Sequence, residues 1–253
     1  QAGRSYYRKK RVIPGRQLGG AGEQKLIQVS APEGQPIRTA PRIAAAIRAL
    51  TPLAPVCTLS AHPRGAPGRS AVESFLEAAY RRAFRGAMQS HYPTLLSLRD
   101  HRGEIQAAVG FRLASEGPLF LEQYLDAPVE RLLPPLTGAM LTRPQIAEIG
   151  SLASNDAGAS LQLFRALARR LDAEGCTHAV ATATRQLRRL FKRIGFSTEI
   201  LSAADPTRLG PAAAQWGGYY DRDPEVRAGA ITAALPLLDR LLDVHAPLAG
   251  DAQ

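Results

Sequence analysis

The sequence predicts a mixed α/β fold, one sheet with helices on both faces. Amphipathic helical stretches alternate with short apolar runs of strand length, a hairpin signal falls early in the body, and the final third reads helix, strand, helix, strand. The 253 residues and 45% apolar content support a substantial core, and the 21% charged content is ordinary.

The leading segment stands apart. Residues 1–50 hold ten Lys/Arg against Glu23 and Glu33, so eight of the ten net positive charges lie there. "RKKRVIPGRQLGGAGEQ" and "APEGQPIRTAPR" lack apolar periodicity and read as disordered or loosely docked. "RSYYRKKR" combines phosphate-seeking charge with two tyrosines, yet reads as a solvated tail or a docking arm for an acidic partner rather than a nucleic-acid site. Pro41–Leu50 suggests a short helix, and Ser60–Ser70 a linker. The expected division is a basic segment and linker over 1–69, a folded domain over 70–230, and a C-terminal helix and tail over 231–253.

In the body, "SAVESFLEAAYRRAFRGAM" places Val72, Phe75, Leu76, Ala79 and Phe84 on one helical face, with Ser70 as N-cap. "TLLSLRDHRGEIQAAVGFRLA" reads as a hairpin, with strands Leu95–Leu98 and Ile105–Leu113 about a turn at Asp100–Gly103. "LFLEQYL" (Leu119–Leu125) is expected as a third strand, a short helix follows near Val129–Leu133, and "PQIAEIGSLAS" is a fourth strand. "ASLQLFRALARRLDAEG" is an amphipathic helix ending at Gly175, "THAVATAT" a buried strand, and "RQLRRLFKRIG" a helix closed by Gly195. "FSTEILSAA" is expected as the last strand, before "WGGYYDRDPEV" and the helix "AGAITAALPLLDRLLDV".

Several chemistries are excluded. Cys57 and Cys176 make no CxxC or Cys/His spacing, so no zinc site or disulfide framework is indicated. The five histidines are isolated, which leaves no triad and no metal centre. No apolar run reaches the roughly 18 residues of a membrane-spanning helix. Gln1 onward does not read as a signal peptide, so a cytoplasmic location is expected.

"FLEQYLD", "IAEIGSLAS", "TATRQLRRLFKRIGF", "LSAADPTRL" and "WGGYYDRDPEV", in this order between about Ser70 and Gly229, resemble the bacterial thermostable hemolysin family. That family is similar to GNAT-fold acyltransferases and to acyl-homoserine lactone synthases. The resemblance implies a mostly antiparallel central sheet and an N-acyltransferase. Its thioester donor would be acyl-CoA or the phosphopantetheine of an acyl-carrier protein, and its acceptor the amine of a small, amino-acid-like molecule. It also implies that pantetheine runs between two parting strands and that phosphates rest on the next helix start. "SNDAGAS" occupies that position, making Ser154, Asn155, Gly158, Ala159 and Ser160 the candidate donor-binding residues. Asn155 and Asp156 replace the family's basic lead, and Asp156 would repel a pyrophosphate, which favours a carrier protein or another donor. The basic N-terminal segment is the candidate contact for an acidic carrier protein.

"VGFRLAS" resembles a segment of the lactone synthases in which an arginine follows a glycine, making Arg112 a candidate grip for a carboxylate. "IAEIGSLA" resembles their Glu-x-x-x-Arg strand, with Glu148 matching and Leu152 standing where arginine would be. On a strand, Phe120, Glu122 and Tyr124 share one face beside Glu148. Glu122 and Glu148 would then hold the acceptor's ammonium and take its proton, while Tyr124 or a tyrosine of "WGGYYD" protonates the thiolate. Glu122 reads equally as a structural ion-pair partner of Arg112. Trp216, Tyr219 and Tyr220 would line the acceptor end as a lid, or anchor the C-terminal segment. Two other functions stay open: a membrane-active hemolysin-type protein, and a non-catalytic ligand-binding GNAT-like module.

Overall fold

The computed structural model describes residues 57–88, 90–133 and 140–243. The expected helix at Pro41–Leu50, the basic leading segment and the tail after the last helix lie outside them. The regular elements are β1 (Thr58–Pro63), α1 (Arg69–Phe84), β2 (Thr94–Arg99), β3 (Ile105–Leu113), α2 (Val129–Leu132), β4 (Ile146–Ser154), α3 (Ala157–Ala173), β5 (His178–Ala183), α4 (Arg185–Ile194), β6 (Glu199–Ala203), β7 (Glu225–Ala230) and α5 (Ile231–Asp243). Seven strands form one sheet in the order β1-β2-β3-β4-β5-β7-β6. Only β4 and β5 run parallel; every other neighbouring pair is antiparallel.

Strand alternation sorts the core into two layers. Leu96, Leu98, Val109, Phe111 and Ala147 turn to α3 and α5, where they meet Leu163, Leu167, Leu171, Ile231 and Leu238. Leu95 and Ala108 turn the other way, onto Val72 and Leu76 of α1. Further along that second face, Ile146, Val180 and Val226 pack on Leu119, Leu121, Tyr124 and Val129. Glu148 follows Ile146 by two residues and so points to the α1 face.

Four expectations are corrected. The sheet starts at Thr58 rather than near Ser70, since β1 pairs with β2 along its whole length; its closing proline sits harmlessly on an edge strand. Ser70 is not the N-cap of α1, because the helix begins at Arg69 behind Gly68 in a left-handed conformation. Leu119–Leu125 is not a strand: Phe120–Tyr124 is a 3-10 turn, for reasons that lie in the site. Finally, β6 is not the last strand. The Ala/Gly-rich β7, which carries little strand propensity, slots between β5 and β6 and buries Val226 and Ala228.

β4 also creates the opening. It pairs with β5 only from Ile146 to Ile149, and beyond that point Ser151 adopts a positive φ of 51°. The rest of β4 has no partner on β5, so the two strands part. One consequence of the β7 insertion is testable. A Cβ at Gly229 would lie 2.6 Å from Cζ of Phe196, so Gly229→Ala is expected to lower stability by about 1–3 kcal/mol in urea melts; a neutral outcome would place β7 elsewhere.

Candidate functional site

A cavity of about 1350 Å³ occupies the gap between β4 and β5 and reaches both layers. Its α1-side wall includes Tyr80, Tyr92, Arg112, Phe120, Tyr124 and Glu148, and its opposite wall Phe164, Leu167, Phe191, Ile194, Phe196 and Leu238. One end is therefore polar and aromatic, and the other apolar.

Glu148 is 1% exposed and belongs to the polar wall. Its carboxylate accepts hydrogen bonds from the backbone N–H of Phe120 at 2.8 Å and of Leu121 at 3.0 Å. This explains why the apolar run Leu119–Leu125 leaves the sheet: its amides serve a buried carboxylate instead of a neighbouring strand. Burial pushes Glu148 above the usual carboxylate range, against the opposing pull of those amides, the Tyr92 hydroxyl and the Arg112 guanidinium. Arg112 lies directly across the β3–β4 ladder from Glu148, lines the same cavity, and donates to the Pro118 carbonyl at 2.8 Å.

Glu122 does not join Glu148. It accepts from Leu119 N–H at 2.8 Å and Val129 N–H at 3.1 Å, and pairs with Arg143 at 2.8 Å. It borders a separate, shallower depression with Gly117, Pro118, Pro128, Glu130 and Arg143, not the large cavity. Arg143 also pairs with Glu130 at 2.7 Å and donates to the carbonyls of Ala114 and Gly117, both at 2.7 Å. Partial burial disfavours the Glu122 charge, but Arg143 and the two amides prevail and hold its carboxyl below the usual range. Glu122 is thus the lock of the loop that grips Glu148, and its ion-pair partner is Arg143 rather than Arg112.

The aromatic residues assemble, but Tyr220, expected to line the acceptor end, stands behind Tyr124 and Tyr219 and does not line the cavity. Phe120 and Trp216 lie 5.2 Å apart, Trp216 and Tyr219 5.4 Å, and Tyr219 and Tyr220 5.4 Å, measured between ring centroids. The Tyr124 and Tyr220 hydroxyls share a 2.6 Å hydrogen bond, and Tyr219 donates to the Thr182 carbonyl at 3.1 Å. The Trp216 segment is a fixed wall. Gln215 accepts from Ala87 N–H at 2.9 Å, and Gly217, at φ 55°, lies so close to the end of α1 that a Cβ would sit 2.7 Å from Gly86 N. Burial and the neighbouring Tyr220 hydroxyl raise Tyr124 well above an ordinary phenol.

At the start of α3 the expected donor-binding residues divide. Ser154, Asn155 and Ser160 line the cavity; Gly158 and Ala159 are buried and do not. Asp156 caps the helix, accepting from Ala159 N–H at 2.8 Å, so one helix-start amide is already engaged and a carboxylate stands where a phosphate would approach. The Ser154 and Ser160 hydroxyls bond to each other, and Asn155 donates to the Ile105 carbonyl at 3.2 Å. Cations stand on α4 instead: Arg189 and Arg193 line the cavity beside the exposed Lys192. Arg188 pairs with Asp223 at 2.7 Å and with Glu225 at 2.6 Å. Arg189, Lys192 and Arg193 have no carboxylate partner among the described residues.

Sequence reasoning missed Tyr92, Tyr80 and the α4 cations. Tyr92 was hidden by its place in a connecting bend. The basic pattern of α4 was visible, but its facing was not.

The sequence profile of the thermostable hemolysin family matches residues 62–235. No curated protein sequence matches the chain. Among solved structures, a CoA-dependent acyl-homoserine lactone synthase, BjaI, with SAM and isopentyl-CoA is 14% identical, with a TM-score of 0.51, covering 74% of this chain and 90% of its own. The AHL synthase LasI is 15% identical, with a TM-score of 0.50, covering 72% and 95%. The fold is that of the GNAT-like acyltransferases.

The lock on the loop has a stability signature. Glu122→Gln is expected to cost about 1–3 kcal/mol near neutral pH, read as a lower urea midpoint. Because Glu122 is held below its unfolded value, its contribution is present above the ordinary carboxylate range and fades as pH falls through the folded value. The gap between wild type and variant should therefore close in acid; a gap constant with pH would deny the ion pair that role.

Proposed function

The chain belongs to the thermostable hemolysin family, and we propose that it works as an N-acyltransferase that moves an acyl group from a thioester to the amine of a small acceptor. One observation carries this reading: a nearly sealed carboxylate, Glu148, faces a large cavity beside the parting strands β4 and β5. Glu122, by contrast, is spent on its ion pair with Arg143 and borders only the separate depression. A carboxylate raised by burial accepts a proton more readily near neutral pH.

In the proposed reaction the thioester lies in the gap with its acyl chain toward the apolar wall. The acceptor amine meets its carbonyl near Glu148. A C–N bond forms and the C–S bond breaks; the amine's proton passes to Glu148, which returns it to the departing thiolate. Arg112 is suited to an acceptor carboxylate, as in an amino-acid-like substrate. Tyr124 serves better as a hydrogen-bond donor than as the acid. Its raised phenol holds the proton more tightly than a thiol does, so full transfer to the thiolate would run uphill. Phe120, Trp216 and Tyr219 wall the acceptor end, and Tyr220 backs them through its hydrogen bond to Tyr124.

The capped start of α3 suits a donor phosphate poorly, whereas Arg189, Lys192 and Arg193 suit one well. An acyl-carrier protein, acidic and joined to its acyl group through a phosphopantetheine, fits that surface better than free CoA. Among the described residues no helix is long and apolar enough to cross a membrane. On the transferase reading a hemolytic effect comes through an amphiphilic product of the reaction.

The test is thiol release from acyl-CoA and acyl-carrier-protein donors of graded chain length, with and without an added amine panel. Release should require the amine and rise with pH as Glu148 and the amine lose protons. Glu148→Gln should lower kcat/KM at least about 100-fold while the protein still folds. Leakage of liposomes without any donor, together with no thiol release, would replace this reading with direct membrane activity. Reversing Arg189 and Arg193 to glutamate should raise the donor KM at least about tenfold at low salt and far less at high salt. An unchanged KM would remove α4 from donor binding.

A further inference from the structure

One part-buried titratable group acts on Glu148 and has no part in the transfer just described. Tyr92 precedes β2, and its ring lies across the β3–β4 ladder. A Cβ at Gly110 would fall 2.8 Å from its Cβ and Cδ2, and a Cβ at Gly150 would fall 2.6 Å from its Cε2 and Cζ. Gly110 and Gly150 are register partners, so two facing glycines form a slot that only bare backbone permits. The backbone of Tyr92 is pinned as well. Arg69, 6% exposed, donates to the carbonyls of Tyr92 at 2.7 Å, Pro93 at 2.8 Å and His62 at 2.7 Å, and is itself held by Glu73 at 2.8 Å. A ring seated in this way brings its hydroxyl over Gly150 and up to the Glu148 carboxylate.

We propose that Tyr92 is the positioning residue of the site: its hydroxyl, fixed by the glycine slot and the Arg69 clamp, orients the Glu148 carboxylate toward the cavity. The proposal rests on the acyltransferase reading of Glu148. A phenylalanine would fill the slot equally well, so the hydroxyl is the part that packing does not require. Phe120 and Leu121 amides approach Glu148 from the loop, and Tyr92 from the sheet. The other groups acting on this pair are Arg112, which favours both anions, and the Tyr124 and Tyr219 phenols, which disfavour charge. A buried carboxylate without such donors stays protonated and is no base. Tyr92 keeps it able to ionise, and leaves a lone pair for the acceptor.

The experiment is a 13C titration of the glutamate carboxyls in the full chain, with Glu148 assigned by the signal lost in Glu148→Gln. In Tyr92→Phe the Glu148 midpoint should move to higher pH, because a donor to its anion is gone, while melting falls by no more than a few degrees. Gly150→Ala keeps the hydroxyl but displaces the ring, so it should move the midpoint the same way; it also stands in should Tyr92→Phe not fold. Where turnover is measured, Tyr92→Phe should lower kcat with KM unchanged and carry the acid limb of the pH profile upward with the midpoint. Equal midpoints in wild type and both variants would overturn the proposal. A moved midpoint without thiol release from any donor would keep the positioning role and reject the transferase instead.

Discussion

A carboxylate shut away from water must find donors or lose its charge, and Glu148 imposes that requirement on everything around it. The two nearest amides come from Phe120 and Leu121, and taking them removes Leu119–Leu125 from the sheet. The 3-10 turn that results needs its own support. Glu122 caps it from within, and Arg143 ties it to two carbonyls and a second carboxylate. On the opposite side two glycines thin the sheet enough to admit Tyr92. The stretch "LFLEQYL" (Leu119–Leu125) therefore holds one carboxylate that builds the loop and, through its amides, serves another that faces the cavity.

The parting of β4 and β5 gives that carboxylate something to act on. Their pairing ends at Ile149, one residue past Glu148, so the polar end of the cavity begins where ladder hydrogen bonds stop. Beyond it the apolar side chains of α3, α4 and α5 continue the cavity through the sheet. The charges at its edge are equally particular. Asp156 closes the helix start, while α4 turns its apolar face inward and leaves three cations outside. Such a division suits a ligand with an apolar chain, a reactive centre and an anionic end.

How much of this was legible varied by element. The hairpin strands, α3 and α4 with its Gly195 cap followed from periodicity and stop signals, because each buries one continuous face. β1 and β7 were not legible, since neither "TLSAHP" nor "EVRAGA" carries enough strand propensity to stand without neighbours. At the site, Glu148, Arg112, Phe120, Tyr124, Trp216, Tyr219 and Tyr220 were named from the chain and do come together. Glu122 was named too, but the strand that would have aimed it at Glu148 does not exist.

The sequence by itself determined residue chemistry and local period: which stretches are helical, that a carboxylate sits amid apolar residues on β4, and that the family is one with a GNAT-like sheet. Only the tertiary structure decided how the two carboxylates divide their work, that Tyr92 reaches Glu148 across Gly110 and Gly150, and that α4 rather than α3 offers free positive charge. The physical reason is that a side chain's role depends on who else is desolvated with it. Local sequence sets a residue's own preferences, but burial, ion pairing and competition for backbone amides are settled between segments far apart in the chain.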